Sequence, residues 1–135
     1  MRLLLDTCVF LWFISDDPKL SKSLKSFIAD PEQEVFLSVV SPWETILKQQ
    51  TGRLSLPPPI GGYLREKREL HRIAPLLLEE QSVLHLVKLP PLHRDPFDRM
   101  LICQAMEHNL TIVTPDHAIS QYPIKTLWEF SEGSP

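Results

Sequence analysis

A chain of 135 residues fits one folding unit, because that length lies near the mode for a single hydrophobic core. With 43% hydrophobic and 23% charged residues it has the composition of a soluble globular protein, and no apolar run reaches membrane-spanning length. A net charge of -3 excludes a protein that coats nucleic acid through a bulk basic field, but it leaves room for a nuclease, since divalent cations held by carboxylates can bridge to phosphates.

The start, MRLLLDTCVFLWFISDD, resembles a signal peptide only superficially: Asp6 interrupts the apolar stretch and no small-residue cleavage site follows. Arg2 to Leu5 instead predicts a buried parallel strand ending at Asp6. Thr7 to Ile14 predicts a helical turn. Leu20, Leu24, Phe27 and Ile28 then recur at helical spacing up to the breaker Asp30-Pro31, and Val35 to Val39 is a second strand. Ser41-Pro42-Trp43-Glu44 predicts a capped helix start with Ser41 as the cap, running to Gln50 and stopping at Gly52. Beyond the rigid connector Leu56-Pro57-Pro58-Pro59, Gly61-Gly62 opens a helix over Tyr63 to His71, and Arg72 to Leu78 holds a short strand.

Glu79 to Val87 predicts an amphipathic helix broken by Pro90-Pro91. Asp95-Pro96-Phe97-Asp98 repeats the helix-start signal, with Asp95 as the cap, and the helix ends at Asn109. Leu110 to Val113 is a β-branched strand leading into Thr114-Pro115-Asp116, and Ile124 to Trp128 is the last strand. One domain over residues 1–130, with a frayed tail at 131–135, is expected. Strands alternating with helices imply an α/β fold, a parallel sheet covered on both faces.

Sites in such sheets lie beyond the carboxyl ends of the strands, and the residues delivered there are mostly acids. Asp6 closes the first strand, Glu44 opens the helix after the second, Asp98 opens the helix before the fourth, and Asp116 follows that strand. Each acid alone has a capping or helix-dipole reading. Four at one edge would repel one another, and a hard divalent cation with oxygen ligands relieves that repulsion. The hydroxyls of Thr7, Ser41 and Thr114 suit either water-holding or turn-closing roles.

Lys48 lies one turn after Glu44, placed for an ordinary Glu-Lys pair or for phosphate contact. Arg65, Arg68 and Arg72 recur as a stripe that reads first as a solvated face, with an RNA backbone as the alternative. Arg94 and Arg99 flank the third acid. The five histidines show no zinc spacing, and no phosphate-binding glycine loop is present. Trp12, Trp43 and Trp128 have the faces to stack on bases, but each sits in an apolar stretch and is expected in the core. Cys8 and Cys103 match no metal spacing and suit a reducing, cytoplasmic setting.

The segments LLLDTCVFLW, SVVSPWETILKQQTGRL, HRDPFDRMLICQA and LTIVTPD together resemble the PIN domain, and within it the VapC-like toxins of bacterial toxin-antitoxin pairs. That resemblance implies a three-layer α/β/α sandwich with a central parallel sheet and a site binding magnesium or manganese. It implies endonucleolytic hydrolysis of RNA by metal-activated water, leaving 5′-phosphate and 3′-hydroxyl ends. Asp6, Glu44, Asp98 and Asp116 match the family's catalytic, metal-binding acids, while Asp95 and Arg99 belong to its DPFDR block. An RNA substrate and a cognate antitoxin are the implied partners, with a homodimer compatible and no membrane involved. The competing expectation is a catalytically inactive PIN-like interaction module whose acids dock basic residues of a partner. A dehalogenase-type phosphatase is excluded locally, because it needs Asp-x-Asp where this chain has Asp6-Thr7-Cys8.

Overall fold

Five parallel strands form the sheet of the structure, a computed structural model that describes residues 1–129. The expected frayed tail, 131–135, lies outside the described residues. The strands β1 (Arg2–Leu5), β2 (Glu34–Ser38), β3 (Ala74–Leu76), β4 (Thr111–Val113) and β5 (Thr126–Leu127) lie in the order β3-β2-β1-β4-β5. Central β1 is apolar throughout its buried part because both faces are covered. Leu3 and Leu5 face one layer with Val9, Phe10, Leu24 and Leu64, while Leu4 faces the other with Leu101, Ile102, Ile112 and Tyr122. The α/β/α sandwich implied by the sequence is the architecture found.

The helices are α1 (Thr7–Ser15), α2 (Lys22–Ala29), α3 (Val40–Gln50), α4 (Ile60–Leu70), α5 (Glu80–Leu84) and α6 (Pro96–His108). Local chemistry sets several of their ends. The Ser21 hydroxyl accepts from Leu24 N–H to cap α2, Asp95 caps α6, and Asn109 closes α6 in the left-handed region at φ 53°.

Several expectations need correction. Helix α3 starts at Val40, so Ser41 lies inside it and is no cap; Pro42 falls in the first turn, where a missing N–H leaves no bond unmade. The Ser41 hydroxyl instead accepts from Thr7 Oγ1 at 2.8 Å, tying α1 to α3. The expected helix over Glu79 to Val87 is the short α5 followed by a 3-10 turn over His85–Lys88. The arginine stripe is broken. Helix α4 ends at Leu70, Arg72 turns into the left-handed region at φ 56°, and Arg68 Nη1 is spent on Ile73 O at 2.9 Å.

Strand order reverses beside β1: the chain first builds outward through β2 and β3, then returns to β1's other side with β4 and β5. A crevice therefore opens beyond the carboxyl ends of β1 and β4. Asp6 and Thr114 are the first residues past those strands, and Asp6 N–H donates to Val113 O at 3.0 Å.

Candidate metal centre

Asp6 sits at the N-cap position of α1 but makes no side-chain cap bond to that helix. The residue is 6% exposed, and its Oδ2 accepts from Thr114 Oγ1 at 2.6 Å. Thr114 Oγ1 in turn accepts from Asp116 N–H at 3.0 Å, so one hydroxyl joins the acid after β1 to the acid after β4.

Glu44 reaches the same crevice from the second turn of α3, beyond the first turn where acids serve the helix dipole. Lys48 Nζ donates to its Oε2 at 3.0 Å. Its Oε1 is buried and has no hydrogen-bond partner among the described residues. A buried carboxylate oxygen without a donor is costly, by roughly 1–3 kcal/mol or more, which makes it a position where a cation is wanted.

Asp98 lies in the first turn of α6, but the capping is done by Asp95, whose Oδ1 accepts from Phe97 N–H at 2.8 Å and Asp98 N–H at 3.3 Å. The Asp98 carboxylate is thereby left for the crevice. There it meets His93, a residue the sequence did not single out. His93 Nε2 stands 3.1 Å from Asp98 Oδ2 and 2.9 Å from Asp116 Oδ2. Asp116 Oδ1 accepts from Ala118 N–H at 2.8 Å, which fixes the carboxylate's orientation.

The loop carrying His93 is held from two sides. The buried Tyr122 hydroxyl accepts from Leu92 N–H at 3.0 Å and His93 N–H at 2.8 Å, and donates to Pro90 O at 2.7 Å. Arg99 Nη1 donates to Pro90 O and His93 O. Arg99 is thus a latch for the loop, while Arg94 is exposed. Only the close position of His93 to the Asp95-Pro96 signal hinted at this, and a zinc-spacing test does not detect a loop folded back over a helix start.

The electrostatics follow from crowding. Burial, with the charges of Asp6, Asp95 and Glu44, pushes the Asp98 carboxyl up to about 7, against a partial opposing pull from His93. Burial also raises Asp6, further raised by Glu44 and Asp116, although Thr114 and the Thr7 backbone N–H favour its ionised form. Burial lowers His93, but its bond to Asp116 and the charge of Asp98 outweigh that and raise it. Protonation at Nδ1 would forfeit the bond that this atom accepts from Asp95 N–H, which opposes the rise. Half-buried Cys8 beside the acids is pushed to about 12 by burial, Asp6 and Asp98, so its thiol is no nucleophile.

The four acids named from the sequence are therefore electrostatically coupled in one crevice. His93 Nε2, one Asp98 oxygen and one Asp116 oxygen lie within 4.8 Å of one another, and Asp98 and Asp116 can supply the oxygens for an ion. The oxygen-rich donor set, with the orphaned Glu44 Oε1, fits a hard divalent cation better than zinc. Trp43, expected in the core, is 57% exposed and packs on Phe97 of α6.

The PIN domain family model matches residues 3–125 of the chain. The chain belongs to the PIN domain family. No curated protein matches it. Among solved structures, a chain of VapBC-1 from nontypeable Haemophilus influenzae is 20% identical, covering 95% of this chain and 98% of that one at a TM-score of 0.67. A chain of DNA-bound VapBC from Salmonella typhimurium is 18% identical over 94% of this PIN domain and 97% of its own length, at 0.66. A chain of VapBC2 from Rickettsia felis, bound to a DNA fragment from its promoter, is 14% identical over 94% and 98%, at 0.65. At these identities the likeness is one of fold.

Proposed function

We propose that this PIN domain is a magnesium-dependent endoribonuclease, with manganese as an alternative ion, and the toxin of a type II toxin-antitoxin pair. The observation that carries the reading is the crowding of Asp6, Glu44, Asp98 and Asp116, severe enough to raise Asp98 to about 7 while leaving Glu44 Oε1 buried without a donor. Such a cluster is stabilised by a cation and is costly without one. In this reading Asp6, Asp98 and Asp116 hold the ion, with Glu44 as a further ligand directly or through water. Once bound, a divalent ion supplies Lewis acidity toward a phosphoryl oxygen and lowers the pKa of water. Thr114 orients Asp6, His93 orients Asp98 and Asp116, and Lys48 balances Glu44 until phosphate enters.

The partner reading draws on the VapBC complexes, whose fold this chain shares. A cognate antitoxin would place an arginine or lysine among the acids, since a guanidinium is planar, permanently charged and able to bond two carboxylates at once. The cytoplasm is the proposed setting, where the two free cysteines stay reduced; among the described residues no helix is long and apolar enough to cross a membrane.

A second reading, an inactive interaction module, is favoured by Lys48 and His93 already standing against the acids. RNA cleavage assayed with magnesium, with manganese and with chelator, followed by sequencing of product ends, separates the two. Metal-dependent cuts leaving 5′-phosphates support the nuclease; intact RNA under all three conditions supports the module.

A further inference from the structure

Trp12 and Trp128 are partly buried against each other, ring centroids 6.0 Å apart, whereas Trp43 is 57% exposed. Trp43 is nonetheless held in place. Its ring meets Phe97 edge to face, with centroids 4.8 Å apart and planes at 82°. Even with this contact, more than half of the residue's surface stays open to solvent. Trp43 directly precedes Glu44 on α3, and Phe97 directly precedes Asp98 on α6, so the aromatic pair bridges the two helices that carry these acids, each ring next to an acid in the chain. Lys48, with its side chain 40% exposed, stands one helical turn beyond Glu44.

Charge gives this pair a purpose. With a net charge of -3 and an acidic crevice, the chain cannot concentrate RNA by a long-range field. An ion in the crevice neutralises only the phosphate it touches. Short-range contacts must add affinity, and stacking of a base on an aromatic face supplies about five- to 150-fold per base. We propose that Trp43, braced by Phe97, is the platform on which a base next to the cleaved phosphodiester of single-stranded RNA stacks. This rests on the nuclease reading of the acids.

An apolar protein segment is the rival occupant, because Val39 and Leu47, one turn to either side of Trp43, are also exposed. The apolar cleft suited to such a segment lies elsewhere on α3, however. It is a 240 Å³ space against α4 lined by Val39, Pro42, Ile46 and Leu64, and Trp43 is not part of it.

The test uses the full chain carrying Asp98→Asn, so that RNA binds without being cut, with and without Trp43→Ala or Trp43→Phe. Binding of a short single-stranded RNA is compared with binding of the same strand carrying abasic sugars around the target position. Trp43→Ala should weaken binding of the base-bearing strand about tenfold and leave abasic binding unchanged, and Trp43→Phe should restore most of the loss. In the otherwise native chain, Trp43→Ala should raise KM more than it lowers kcat. Equal affinity for base-bearing RNA with and without Trp43→Ala overturns the proposal, as does an equal loss on both strands. Unchanged RNA binding together with lost binding of a cognate basic partner also overturns it and gives the ring to the partner. Failure of the native chain to cut RNA with either metal strikes the nuclease reading instead, and the binding comparison still decides the platform.

Discussion

The backbone N–H of Asp95 donates to Nδ1 of His93 at 3.1 Å. That bond makes Nδ1 an acceptor and puts the ring proton on Nε2, which then donates toward Asp98 Oδ2 and Asp116 Oδ2. An Nε2 that carries a proton is no metal ligand. His93 is therefore a positioning residue that holds one oxygen of each carboxylate. Groups with this role usually contribute roughly 10–100-fold to metal affinity or activity. His93→Ala should weaken manganese binding within that range by calorimetry, and Asp98→Asn should weaken it more. Undiminished affinity in His93→Ala would remove the positioning role.

Tyr122 acts one step further back. Its hydroxyl satisfies the His93 N–H and adds a second bond to the Leu92 N–H and the Pro90 carbonyl, so Tyr122→Phe leaves the His93 N–H to find water, while Leu92 N–H still donates to Pro90 O, which also keeps Arg99. Urea unfolding should show a loss of about 1–3 kcal/mol. The Phe variant should also lose cleavage at subsaturating metal and recover much of it at saturating metal, because the ligands are intact but His93 is less well placed. A purely structural role would lower stability without that metal-dependent rescue.

The readable parts of this molecule were those written locally. An apolar run stopped by Asp6 announced β1, and Asp95-Pro96 announced α6, because cap and proline chemistry acts within a few residues. The same logic misled at Ser41, where a plausible cap sits inside a helix that tertiary contacts extend back to Val40. His93 was not legible because its position depends on Tyr122, 29 residues away, bonding the loop. Trp43 reads as core from its apolar neighbours, whereas its helix turns that side chain outward while burying Glu44.

Asp98→Asn should abolish metal-dependent RNA cleavage while the fold stays intact, because the amide keeps the shape but loses the charge a hard cation needs. Its metal-free stability should equal or exceed that of the native chain, since it removes one member of a repelling cluster. Asp95→Asn should cut RNA nearly as well as the native chain, because asparagine caps a helix about as well as aspartate does. Parallel cleavage assays and thermal melts decide both, and full activity in Asp98→Asn would take that residue out of the mechanism.

Stability without metal should fall as pH rises from about 5 to 8. Asp98 has a folded value near 7 against 3.8 in the unfolded chain, so between those limits the folded state holds the extra proton. Across that span the loss is at most about 4 kcal/mol, with under about 3 of it above pH 5, and it levels off once Asp98 ionises near 7; both are upper bounds for a site shared with other acids. Asp6 is raised too and pushes in the same direction. The raised His93 agrees in sign, since its contribution is present below the unfolded value and lost as pH climbs through the folded one. A divalent ion competes with these protons and binds only the folded arrangement, adding about 2.7 kcal/mol at a hundredfold excess over Kd. Saturating magnesium should accordingly raise Tm more at pH 8 than at pH 5, and the increment should shrink in Asp6→Asn. Scanning calorimetry with and without magnesium at both pH values is the measurement. A Tm indifferent to metal at pH 8 would favour the interaction module over the nuclease.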